Sequence, residues 1–123
     1  MLTTLIIFSV VNILLADADA NLIIKGKWIK HGINGLVYSA MLAVPYFIFH
    51  NYWLMAALLM NRLLFFNIFL SLFRKLDWDY MSEYPKAITD KIQKFIFGTH
   101  GKAMYAIYFI IFTLLIYLSY ANR

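Results

Sequence analysis

Residues 103–121 read AMYAIYFIIFTLLIYLSYA, nineteen positions without a charged side chain. Backbone N–H and C=O groups in hydrocarbon need partners within their own segment, which a helix supplies. A bilayer core of about 30 Å takes about 20 helical residues to cross. The stretch therefore reads as a transmembrane helix. Three further apolar runs precede it: Leu2 to Ile24, residues 33–49 with a turn around Trp28 and Ile29 to extend it, and Tyr52 to Phe73. The expected fold is an all-α, integral membrane four-transmembrane-helix bundle. Its spans lie at about 2–24, 30–49, 52–73 and 102–121, each near the crossing length.

Composition agrees. Of 123 residues, 63% are hydrophobic and 14% charged, with a mean hydropathy of +0.72. A soluble domain carries about 45–50% apolar residues because its surface must face water; here the apolar excess must face lipid. Cysteine is absent, which excludes disulfides, thiolate zinc sites and cysteine nucleophiles. The net charge of +5 does not imply nucleic acid, because the basic residues lie in the short segments between apolar runs.

Those segments set an orientation. Lys25, Lys27 and Lys30 occupy the first connection, and Arg74, Lys75, Lys86, Lys91, Lys94 and Lys102 the third, nine of the 11 basic residues. The second connection, at His50 and Asn51, has none. The positive-inside rule places both basic connections in the cytoplasm and both termini outside. Trp28 and Trp78 then fall at the inner interface and Trp53 at the outer one, the depth amphipathic rings prefer. The first run also offers signal-peptide cleavage patterns at Ala16-Asp17-Ala18 and Ala18-Asp19-Ala20, but no basic region precedes it. It is expected to be a membrane helix.

Residues 82–97 differ. Tyr84, Ile88, Ile92, Phe95 and Ile96 recur at helical spacing, while Lys86, Asp90, Gln93 and Lys94 take other faces. Ser82 suits an N-cap, Pro85 a first turn and Gly98 a stop. The pattern predicts a short amphipathic helix at the inner interface, its lysines near anionic head groups. A cytoplasmic cap packed on the bundle is the plainer alternative. In the second span, Pro45 is expected to kink the helix.

Arg62 stands about 11 residues from the inner end of its run, roughly 16 Å deep. A charge there costs on the order of 3 kcal/mol, so it needs a protein partner. Asp17 lies roughly 10 Å deep, within reach of a snorkelling arginine. An intramembrane ion pair of Arg62 and Asp17 is expected, serving mainly to fix the bundle. At the inner face, Asp19, His31, Arg74, Asp77, Asp79 and His100 form a candidate polar site for a divalent metal or a lipid phosphate. Asp17 and Asp19 point about 200° apart on a helix, and no zinc-protease, phosphate-loop or nucleophile-elbow spacing occurs. A solvated rim is the plainer reading, no cofactor is expected, and the metal remains unknown. His31 and His100 as axial haem ligands is a further, lesser alternative.

Small residues have an ordinary use. Gly32, Gly35, Ser39 and Ala43 recur along the second span as a helix-packing stripe. Ser9, Asn12, Ala16 and Asp19 on the first span, and Asn67, Ser71 and Arg74 on the third, form polar stripes suited to hydrogen bonds between helices. These features predict a bundle or oligomer. The expected partners are the lipid bilayer and either further copies or other membrane subunits.

The stretch Arg62-Leu-Leu-Phe-Phe-Asn67-Ile-Phe-Leu-Ser71-Leu-Phe-Arg74, with Asp79-Tyr80 and Thr89-Asp90-Lys91-Ile92, resembles short uncharacterised integral membrane proteins encoded by bacterial phages and prophages. Asp17, Lys25-Gly26-Lys27 and His31 are similar to an earlier block of such proteins. The resemblance covers about half the chain and implies no known activity. It implies a bacterial inner membrane or a phage internal membrane as the setting, where small multi-span proteins serve as holins or virion components. The expected function is a non-enzymatic structural, assembly or pore-forming role. The alternative is a small membrane enzyme or binding protein acting on a lipid head group or metal at the inner face.

Overall fold

The computed structural model describes residues 1–26, 31–81, 88–98 and 100–122, with all their side chains except those of residues 31–34 and 89. The described residues are all-helical: α1 (Leu2–Ile24), α2 (His31–Phe49), α3 (Tyr52–Phe73), α4 (Ile88–Phe97) and α5 (Gly101–Ala121). Three of these, α1, α3 and α5, are long and apolar enough to cross a membrane. Ser82, Pro85 and the first turn expected for the amphipathic helix lie outside the described residues.

The long helices are hydrophobic all round. Between 22% and 33% of each apolar window is buried inside the protein, so most apolar side chains face outward. Val10, Leu14, Leu36, Phe47, Ile110 and Tyr117 are examples. A water-soluble bundle buries one stripe and leaves the other polar. This pattern is the one a lipid-facing bundle requires.

α3 is the centre, with α1, α2 and α5 packed around it. α1 runs parallel to α3: Met1 lies near Asn51, and Ser9 and Asn12 lie near Asn61. α2 runs antiparallel to it, Tyr38 reaching Leu58 and Tyr46 reaching Tyr52. α5 is antiparallel too, with Phe112 on Phe65 and Ser119 against Asn51. Leu5, Phe8, Tyr38, Leu42, Leu54 and Leu58 form one core among α1, α2 and α3. Leu64, Met104, Tyr105 and Tyr108 form a second between α3 and α5. Ala16, Ala20 and Ala57 are fully buried, small residues that bring backbones close.

Asn51 joins three elements at one end. Its side-chain oxygen accepts from the backbone N–H of Trp53 (3.0 Å) and Leu54 (3.2 Å), capping α3. Its amide donates to the Ser119 carbonyl at 2.8 Å and lies 3.9 Å from the Met1 sulfur. The start of α1, the α2–α3 turn and the last turn of α5 therefore meet. At the opposite end, Gly101 opens α5 directly beneath the carbonyl of Asp79, where any Cβ would collide.

α4 is inverted relative to a packed cap. Gln93 faces the bundle and is buried, and the Phe97 ring packs on Tyr108. Ile88, Ile92 and Phe95 point away, Phe95 being 92% exposed. Gly98, at φ +61°, ends the helix in the left-handed conformation that glycine permits.

Candidate functional site

A polar layer crosses the middle of the bundle where α1, α2 and α3 meet. The Asn12 amide donates to the Asn61 side-chain oxygen at 2.7 Å, and Asn61 donates onward to the Ser9 hydroxyl at 2.8 Å. Ser9 in turn donates to the Leu5 carbonyl one turn back. Tyr38 donates to the Leu58 carbonyl at 2.7 Å, and the Asn12 amide lies 3.4 Å from the Tyr38 oxygen. Asn12 and Asn61 are completely buried. In hydrocarbon such groups need partners in the protein, and both side-chain amide nitrogens find one.

Arg62 is the next residue along α3, at the start of a π-helical turn over Arg62–Phe66. A π turn holds one residue more than an α turn, which rotates the later part of the helix and is often found at functional positions. Asn61 is turned to α1, while the Arg62 guanidinium lies 3.7 Å from the Phe66 ring centroid and 5.2 Å from that of Tyr38 on α2. Such cation–π contacts partly replace lost hydration. Asp19 is buried on α1. Asp17, the partner expected from depth alone, is exposed. The two carboxylates are two positions apart, about 200° around the helix, so only one can face inward. Among the described residues, two buried polar atoms of this layer, Arg62 Nη1 and Asn12 Oδ1, have no hydrogen-bond partner.

Among the described residues, the inner-face set does not assemble into one site. Asp19 is buried on α1. Asp77 is exposed in the turn after α3, and Asp79 has its carbonyl over Gly101. His100 is exposed, its Nδ1 3.1 Å from the Phe97 carbonyl. The side chain of His31 lies outside the described ones. Among the described residues, no three of His, Cys, Asp and Glu come close enough to share a metal ion.

Of that set's described side chains, Arg74 lines a cleft of about 70 Å³ where the end of α3 and the start of α5 meet α4. Its walls include Asn67, Ser71, Tyr80 and Tyr105, with Asp90, Gln93 and Lys94 contributed by α4. The Arg74 guanidinium lies 5.8 Å from the Tyr80 ring centroid. Gln93 is 8% exposed, its side chain beside the Tyr108 hydroxyl.

The small-residue stripe of α2 has no neighbour within the described chain at Gly35, where an added Cβ would meet nothing within 4 Å. Ser39 is exposed and bonds back to the Gly35 carbonyl at 2.8 Å, and Ala43 is half-buried. Among the described side chains of α2, Tyr38, Leu42 and Pro45 are the buried ones. The side chain at 32, a glycine position, falls among those not described.

Asn51 and Asn61 carry no signal of their own in the sequence beyond being asparagines in or beside apolar runs. Comparison with known protein families, with curated proteins and with solved structures returned no match to this chain.

Proposed function

We propose that this protein is a four-span membrane bundle with both termini outside, working as a structural or assembly component through self-association, in a bacterial or phage membrane. The observation that carries the reading is the division of labour between faces. Polar side chains within the bundle bond to one another, as Asn12, Asn61 and Ser9 do. The outward face is apolar, and on α2 it offers an unfilled small-residue stripe at Gly35 and Ser39. Backbones approach closely along such stripes. α2 supports a fourth crossing: its 19 residues rise about 28 Å, and it pairs with α3 from Tyr38 to Tyr46. The meeting of Met1, Asn51 and Ser119 at one end supports an even number of crossings. The outward Ile88, Ile92 and Phe95 support an α4 lying in the inner leaflet, since a cytoplasmic cap would turn them inward.

The test is association. Gly35→Leu fills space that nothing in the described chain occupies, so the folded monomer is retained. In bilayers, the wild type is expected to cross-link into oligomers and Gly35→Leu to remain monomeric. Equal cross-linking of both would remove the interface. A pore-forming role is separated by membrane potential: a holin-like protein collapses it on expression, and a structural component leaves it intact. A second reading, a binding protein for an inner-face ligand, is favoured by the cleft at Arg74 and Gln93.

A further inference from the structure

α1 has two opposite faces. Leu5, Phe8, Asn12, Ala16 and Asp19 are buried against the bundle. Ile7, Val10, Leu14, Asp17, Asn21 and Ile24 follow one another at alternating steps of three and four residues, and all are exposed. That spacing draws one continuous stripe along a helix. Its aliphatic members suit lipid; Asp17 and Asn21 do not. Asp17 stands about 10 Å from the Ile24 end of α1, and Leu14 and Ile24, each 63% exposed, continue the apolar surface on either side of it. Among the described residues, neither the Asp17 carboxylate nor the Asn21 carboxamide has a side-chain partner. An ionisable group on a membrane-crossing helix is costly and ordinarily faces a partner. Because Asp17 is exposed, its partner comes from outside this fold.

We propose that this stripe docks a transmembrane helix of another membrane protein, one that carries a lysine or arginine at the depth of Asp17. The carboxylate accepts from the cation in a charge-assisted hydrogen bond, which low-dielectric surroundings strengthen. The Asn21 carboxamide, one turn along, adds a second polar contact between the helices. Ile7, Val10 and Leu14 supply the packing, at the heptad spacing of a left-handed helix pair. Charge complementarity decides against a second copy. Copies inserted alike lay α1 parallel to α1 and set Asp17 against Asp17, two like charges at close range. The Arg62 guanidinium is held against the Phe66 and Tyr38 rings, and Lys25 stands about 12 Å further along the axis than Asp17. The inference is separate from self-association along α2. It holds for either orientation of the chain, because the depth of Asp17 is counted from the end of its own helix.

The experiment is fluorescence energy transfer in phosphatidylcholine vesicles between the full chain, labelled through Asn122→Cys, and a labelled synthetic helix. The probe is a poly-leucine peptide long enough to span the bilayer, with one lysine about 10 Å from one end to match the depth of Asp17. The lysine helix is expected to associate with the otherwise unchanged chain, and Asp17→Asn to weaken that association about tenfold. Asp17→Glu keeps the charge and is expected to retain most of it. A peptide with leucine in place of the lysine is expected to bind all three weakly. Since Asp17 is exposed and unpaired within the fold, its substitution leaves the bundle intact. Equal association of the unchanged chain and Asp17→Asn with the lysine helix overturns the proposal, as does equal association of the lysine and leucine helices with the unchanged chain. Energy transfer between differently labelled copies that requires Asp17 in the absence of peptide also overturns it, because a second copy is then the occupant.

Discussion

The Asn51 amide donates to the carbonyl of Ser119 at 2.8 Å, tying the turn between α2 and α3 to the last turn of α5. The same side chain caps α3 through Trp53 and Leu54. One residue thus closes the bundle at the end where the chain begins and where α5 finishes. Asn51→Ala removes both functions and is expected to cost about 1–3 kcal/mol. Asn51→Asp keeps the capping oxygen and loses the donor, so it should fall between. Reversible unfolding in mixed micelles measures both; an Asp variant no better than Ala would dismiss the cap.

The Asn12–Asn61 bond joins α1 to α3 in the interior. Interhelical hydrogen bonds in membranes are worth about 0.6 kcal/mol on average and up to about 1.7. A double-mutant cycle with Asn12→Leu and Asn61→Leu should return a coupling in that range, because each single change strands the other amide. Strict additivity would mean that the pair is not made.

Asp19 is buried on α1 while Asp17 is turned outward. Asp19→Asn should lower stability by roughly 1–3 kcal/mol, as expected for changing a buried charged group. Asp17→Asn should change it by less than about 0.5 kcal/mol. The contrast between the two unfolding curves is the readout, and the reverse order would contradict the assignment.

Gly101 lies against the Asp79 carbonyl with no room for a Cβ. Gly101→Ala must displace the turn after α3 or tilt the start of α5. A loss of about 1–3 kcal/mol is expected, against no packing penalty at Gly35, where the space is open. The melting temperatures of the two alanine variants, compared directly, check this.

α1, α3 and α5 were legible because hydropathy over twenty residues is a property of the chain alone. The inward stripe of Ser9, Asn12, Ala16 and Asp19 was legible too, since helical spacing puts them on one face and all four turn toward the bundle. Which of the two first-span aspartates is buried was not. Depth along the helix ranks Asp17 and Asp19 nearly equally; only rotation separates them, and rotation depends on how α1 sits against α3. The π turn at Arg62–Phe66 alters the phase of α3 halfway along, so no fixed period read from Tyr52 predicts what Ser71 or Arg74 faces. The Gly35–Ser39 stripe is plain in the sequence, but whether a neighbour from the same chain fills it is decided by tertiary packing. The cleft was hidden for a similar reason: Arg74, Gln93 and Tyr105 come from three separate segments, and their meeting is a product of the assembled bundle.

Because the chain has no cysteine, single cysteines can report sidedness cleanly. The most direct measurement introduces them one at a time at Thr3, His50, Lys91 and Asn122 and treats intact cells with a membrane-impermeant maleimide. An even number of crossings with basic connections inside predicts labelling at Thr3, His50 and Asn122 from outside, and at Lys91 only after permeabilisation. Labelling of Asn122 and Lys91 from the same side would contradict the four-span account.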